Sequence, residues 1–161
     1  MTTSHDGLRF LAAGLGSGWL PVAPGTWGSL ASLLPGWAIV HYAGYGVLLA
    51  GSLMLLLLGC VVCARLGPAL TSHDPAWIVI DEWAGQWLCL GLCAPVLGVG
   101  MTGLAVSFAA FRLFDVWKPW PVSLLEHKGP AWWGIMVDDM VAGLVGGAAT
   151  AGIVAAIRSG I

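Results

Sequence analysis

Apolar positions in this chain come in long blocks, without the alternation of a half-buried strand or the narrow stripe of a surface helix. The clearest block runs from Tyr45 to Ala64 and ends at Arg65. A spanning helix needs roughly 20 mostly apolar residues, so this block predicts a membrane crossing. Before it, Trp27 to Ala43 is apolar apart from Ser29, Ser32 and His41, with Pro35 placed to kink it. Gly44 predicts a tight turn between the two. Toward the C-terminus, Val137 to Ile157 is apolar after its opening aspartates.

The middle of the chain is harder to divide. Gln86 to Phe111 has no charged residue, but Cys93 to Gly100 at its centre reads as a turn because it holds Pro95, Gly98 and Gly100. A split there predicts helices over Trp77–Ala94 and Met101–Lys118. Each would be about 27 Å long at 1.5 Å per residue, just enough to cross. The expected fold class is therefore all-α: a multi-pass transmembrane helical bundle of about four to five membrane helices. It would form a single membrane-embedded domain over residues 1–161.

Composition supports that reading. Hydrophobic residues make up 58% of the 161 positions and charged residues 9%, against a usual charged share of about 25%. Mean hydropathy is +0.89. A soluble domain this small would need far more polar surface. Six Lys and Arg and a net charge of -2 leave no basic patch for nucleic acid. The N-terminal stretch mixes Asp6 with Arg9 and is broken by glycines, unlike a secretory signal. Cys60, Cys63, Cys89 and Cys93 lie in apolar runs without a neighbouring His and read as packing residues.

Charge placement orients the bundle. With five crossings, Asp81 and Glu82 open the third helix, Arg112 and Asp115 close the fourth, and Asp138 and Asp139 open the fifth. All fall on one side, together with Arg9, Arg65, Lys118 and Lys128, while the turns near Gly44 and Gly98 are uncharged. Arg158 is the exception. Lys and Arg gather on the cytoplasmic side, so this face is assigned to the cytoplasm. Tryptophans such as Trp19, Trp27, Trp77, Trp83, Trp117 and Trp133 flank the predicted helix ends, where interfacial anchors sit. Gly143, Gly146, Gly147 and Ala151 give the spacing of small residues that suits close helix packing.

Carboxylates at membrane depth are costly and mark function. Asp81 and Glu82 are adjacent and diverge by about 100° on a helix, so they are not expected to point at one atom. Asp138 and Asp139 stand in the same relation. Arg112 and Asp115 share a face. Bringing three helix ends together would assemble hard oxygen ligands suited to Mg²⁺. The competing account is a set of ion pairs, such as Arg112 with Asp139. It leaves an excess of negative charge, because six carboxylates, counting Asp74, face Arg65, Arg112 and Lys118. The Gly/Pro-rich stretch from Gly14 to Ser29 leads into a helix. It reads either as an anion-binding turn or as an ordinary helix start capped by Thr26. Lys118, before Pro119, is placed either to contact a phosphate or lipid headgroup or to snorkel.

Four stretches in order, WLPVAPGTWGS (Trp19–Ser29), HDPAWIVIDEWAG (His73–Gly85), FRLFDVWKPWP (Phe111–Pro121) and GIMVDDMVAG (Gly134–Gly143), together resemble the phosphatidylglycerophosphatase A family. The resemblance covers nearly the whole chain. It implies an all-helical phosphatase of the bacterial inner membrane with a cytoplasmic site. Such an enzyme is Mg²⁺-dependent and removes the terminal phosphate of phosphatidylglycerophosphate to give phosphatidylglycerol. The family pattern falls on Pro24, Gly25 and Thr26; on Asp74, Asp81 and Glu82; on Arg112, Asp115, Lys118 and Pro119; and on Gly134, Asp138 and Asp139. The chain departs from it at Glu126–Trp133, before GIM.

On that resemblance, Asp81, Glu82, Asp115, Asp138 and Asp139 are expected to supply the Mg²⁺ ligands and the group that positions water. Arg112 and Lys118 would neutralise phosphoryl oxygens, and Gly25 and Thr26 would offer backbone N–H groups. The expected partners are the phospholipid substrate and membrane lipids. Two other classes remain open: a cation-coupled transporter, which would place charges near mid-helix, and a structural membrane subunit. The longer signature of the CDP-alcohol transferases is not found.

Overall fold

The computed structural model describes residues 3–67, 75–117 and 131–160. Every regular element among them is helical: α1 (Thr3–Ala12), a short 3-10 turn (Ser17–Trp19), α2 (Pro24–Ala43), α3 (Tyr45–Leu66), α4 (Ile80–Leu97), α5 (Met101–Trp117) and α6 (Ala131–Ser159). The expected all-α class holds. Two of the helices, α3 and α6 from Trp132, are long and apolar enough by length and composition to cross a membrane.

Glycines set two of the reversals. Gly44 (φ 90°) separates α2 from α3 and Gly98 (φ 70°) ends α4, a backbone region that side chains with a Cβ rarely adopt. Pro35 and Pro95 sit inside α2 and α4 without ending either helix. The fourth predicted helix matches α5 to within a residue. The third begins later than expected, at Ile80, because Ala76 and Trp77 form a turn and Val79 is bonded elsewhere. The Val79 N–H donates to the Ala12 carbonyl (2.9 Å). The last helix begins earlier, at Ala131, so Asp138 and Asp139 lie two turns inside it. Nothing between Ala131 and Val137 interrupts a helix, and the sequence signal for a break, Gly129-Pro130, lies before them.

Helix α4 is the hub. Ser52 of α3 donates its hydroxyl to the Ala84 carbonyl (2.7 Å), and Trp87 donates its indole N–H to the Ser32 carbonyl of α2 (2.8 Å). The Cys89 thiol lies 3.3 Å from the Ser107 carbonyl of α5. Trp83, expected at the interface, instead turns inward, with its ring centroid 6.2 Å from that of Trp87. None of the four cysteines forms a disulfide, as their reading as packing residues requires.

Against α6, α4 packs backbone to backbone. A Cβ on Gly85 would run into the Asp139 carbonyl, and one on Gly143 into the Gly85 carbonyl. One turn further, Gly147 lies against Cys89 and Leu92, so the two helices run parallel. Antiparallel α5 closes the other side, its Ala110 carbonyl against Gly146. The packing role expected of Gly143, Gly146 and Gly147 is thereby met.

Polar side chains share the apolar interior, and large apolar side chains cover much of the outside. Ser29, Ser32, Ser52, Gln86 and Ser107 are fully buried, while Leu34, Met54, Leu57, Met101, Val116 and Ile157 are exposed. Large exposed apolar surface over buried small and polar residues is the arrangement a lipid solvent favours.

Candidate active site

The Asp81-x3-Gly85 spacing of α4 is repeated as Asp139-x3-Gly143 in α6. Because the two glycines sit at the helix crossing, each aspartate stands one turn before it on its own helix. The backbone contact therefore sets how far apart the two carboxylates can be. Asp81, Glu82 and Asp139 each offer an oxygen, and these oxygens lie within 4.8 Å of one another. Asp81 and Asp139 are buried.

The expectation that adjacent Asp81 and Glu82 could not serve one point is corrected here. Both stand in the open first turn of α4, and the Glu82 N–H donates to Asp81 Oδ1 (3.0 Å). Asp81 thus folds back over the helix start, and the longer Glu82 side chain reaches round to it. Asp138 is buried but falls outside the converging three, one residue-step around α6 from Asp139.

Helix α5 brings the positive charge. Arg112 Nη1 lies 2.5 Å from Asp115 Oδ2, the pairing their i,i+3 spacing allows. The alternative pairing of Arg112 with Asp139 is not the one formed. Arg112 and Asp115 still act electrostatically on both Glu82 and Asp139, so all four belong to one cluster. Arg112 Nη1 also lies 3.5 Å from Ser29 Oγ of α2, a neighbour the sequence reading did not single out.

The fourth component is the start of α2. Pro24 occupies its first turn, after Ala23 in a left-handed conformation (φ 49°). Thr26 therefore lies within the helix and is not its cap. Gly25 faces the cluster: a Cβ there would collide with Glu82 Oε1 and come 3.4 Å from Arg112 Nη1. Gly28, one turn on, is held against Val79, where a Cβ would approach to 2.7 Å. The proline-glycine segment is thus locked onto the residues that precede Asp81. Lys118, Pro119, Asp74, Glu126 and Lys128 lie outside the described residues.

Four carboxylates, Asp81, Glu82, Asp115 and Asp139, share one guanidinium among the described residues. Glu82 Oε2 and Asp139 Oδ2 are buried with no hydrogen-bond partner among them. An uncompensated buried carboxylate oxygen is costly. An all-oxygen, anionic donor set of this size fits a hard divalent cation, whose ligands span about 4 Å across the ion. Asp81 and Glu82 stand in the first turn of α4 and Arg112 and Asp115 in the last two turns of α5, while Asp139 joins them from two turns inside α6.

Comparison with known proteins is decisive at this point. Residues 10–154 match the family described as Phosphatidylglycerophosphatase A. The chain is 35% identical over 137 residues to the Phosphatidylglycerophosphatase A of Haemophilus influenzae, covering 85% of this chain and 82% of that one. It is 34% identical over 137 residues to the protein of that name from Escherichia coli, covering 85% and 77%. No solved structure matches the chain.

The chain belongs to the phosphatidylglycerophosphatase A family. The four motifs by which it resembled that family are, in this structure, the four walls of one site where the residues are described. Trp19–Ser29 supplies Gly25, Pro75–Gly85 supplies Asp81 and Glu82, Phe111–Trp117 supplies Arg112 and Asp115, and Gly134–Gly143 supplies Asp139.

Proposed function

We propose that this member of the phosphatidylglycerophosphatase A family hydrolyses the terminal phosphomonoester of phosphatidylglycerophosphate, giving phosphatidylglycerol and phosphate. The observation that carries the reading is the convergence of Asp81, Glu82 and Asp139 beside the Arg112–Asp115 pair and Gly25. Asp81, Glu82 and Asp139 would hold Mg²⁺, which when bound polarises a phosphate and lowers the pKa of an attacking water.

The chain's own groups do the rest. Arg112, held in orientation by Asp115, neutralises phosphoryl oxygens as charge develops on them. The free N–H groups of the first turn of α2, at Gly25 and Thr26, would offer donors to a phosphate oxygen, and the missing side chain at Gly25 lets the Glu82 carboxylate lie against that turn. Lys118, just after α5 in sequence, adds a second cation for the lipid phosphate. A carboxylate of the cluster accepts the proton of the attacking water, and Asp138 supports the placement of Asp139.

The same reading takes α2, α4 and α5 as crossings beside α3 and α6, which makes five. The acidic end then faces the cytoplasm of a bacterial inner membrane, by the excess of Lys and Arg there.

The test is phosphate release from phosphatidylglycerophosphate in detergent micelles, with and without Mg²⁺, by the wild type and by folded Asp81→Asn and Asp139→Asn. Metal-dependent release that both substitutions abolish supports the assignment. No release by the wild type across a range of lipids and metals would sink it.

A further inference from the structure

The α2–α5 seam that begins at the site continues away from it. At its near end, Ser29 faces Arg112. Further along, the two helices part and leave an open groove with a cavity volume of about 560 Å³. On α2 its walls are Leu30, Leu33, Leu34 and Trp37; on the other side they are Val99 to Met101 and Leu104. Every one of these is apolar or glycine. Leu33, Val99 and Leu104 also pack on the buried cluster of Leu48, Trp87 and Leu90, so the floor of the groove is the protein core. Its outer lip is exposed: Leu34 by 72% and Met101 by 83%. A Cβ on Gly100 would meet nothing within 4 Å.

The groove lies at a definite depth from the chemistry. From Ser29, Leu33 is about 6 Å along α2 and Trp37 about 12 Å; from Arg112, Leu104 is about 12 Å back along α5. Both helices thus give the same depth. A ligand held by its phosphate at Arg112 and the start of α2 would send whatever is attached to that phosphate down this seam.

We infer that the groove between α2 and the start of α5 is the seat of one acyl chain of the phospholipid whose headgroup is processed at Arg112. The inference rests on the proposed phosphatase activity for the identity of the headgroup. Continuity of the seam with the phosphate end of the site selects an acyl chain of that lipid over a second copy of this chain or an unrelated lipid. The volume lies within the range of small-molecule sites, about 300–1,000 Å³.

The experiment compares kcat/KM on a dihexanoyl and a dioleoyl phosphatidylglycerophosphate for the wild type, Leu104→Trp and Gly100→Leu. The glycine variant places its side chain in open space and so keeps the protein folded. The ratio of long-chain to short-chain kcat/KM is expected to fall about tenfold in both variants, as for loss of about two buried methylenes, with the short-chain value held. An unchanged ratio overturns the inference, as does an equal loss on both substrates accompanied by a change of oligomeric state.

A binding readout separates this from failure of the phosphatase reading itself. A phosphatidylglycerophosphate with a photoreactive acyl chain should label peptides from Leu30–Trp37 and Val99–Leu104. Unlabelled phosphatidylglycerophosphate should displace it, and phosphatidylcholine should not. Equal displacement by both lipids, or no labelling there, overturns the groove assignment whether or not phosphate is released.

Discussion

Helices α3 and α4 are neighbours of similar apolar character, yet they do opposite things. α3 passes for a membrane span by length and composition, and most of its large side chains, among them Leu53, Met54, Leu57 and Val61, are exposed. α4 is shorter and carries two acids, a glutamine and a glycine in its first two turns, and most of it is buried. In a lipid solvent apolarity does not mark the inside, since the tails outside are equally apolar. Smallness and polarity mark it, because a polar group there must find a protein partner or a bound ion.

The sharpest way to break that contrast is at its polar end. Asp139→Asn is expected to lower phosphate release by at least about a hundredfold, as loss of a charged site group does. The folded fraction, followed by thermal unfolding in detergent, should be little changed. If Asp138→Asn costs as much, the separation of the two aspartates drawn here is wrong.

Gly143→Val attacks the crossing directly. Its side chain would have to displace the Gly85 carbonyl, and overpacking of this kind costs about 1–3 kcal/mol. A lowered Tm together with lost turnover is the expected result, since separating α4 from α6 also separates Asp81 from Asp139.

A smaller effect is expected from Trp87→Phe, which removes the indole N–H donated to the buried Ser32 carbonyl at a cost of about 1 kcal/mol. Activity in the surviving folded protein should remain, as Trp87 touches no group of the site. The smallest belongs to α3: Leu57→Ala, at a position 61% exposed, should move stability by no more than about 0.5 kcal/mol. A loss comparable to that of Trp87→Phe would mean that another surface covers this face of α3.

Much of this was legible in the residues. Apolar blocks with Gly44 and Gly98 between them locate the turns, because glycine there answers a backbone requirement. The acids and Arg112 announce themselves by being charged in an apolar chain. Other features were hidden because they depend on tertiary contact. The inward turn of Trp83 follows from packing against Trp87, while composition alone reads any tryptophan near a helix end as an anchor. The joint reach of Asp81 and Glu82 depends on the folding back of Asp81, which an ideal helical wheel leaves out. The repeated Asp-x3-Gly of α4 and α6 was readable in principle. Its meaning appears only once the two helices are known to cross in parallel at those glycines.

The hydrogen bond from the Val79 N–H to the Ala12 carbonyl makes the two ends of the chain unequal for practical handling. Val79 is two residues before Asp81, so anything that pulls on α1 pulls on the backbone that carries the acids. Ser159 stands about 30 Å of helix beyond Asp139. An affinity tag or fluorescent label placed after Ser159 should report on the protein without disturbing it. The same label ahead of α1 is tethered to the edge of the acidic cluster through the Val79 amide and the packing of Ala12 with Ile78 and Ile80.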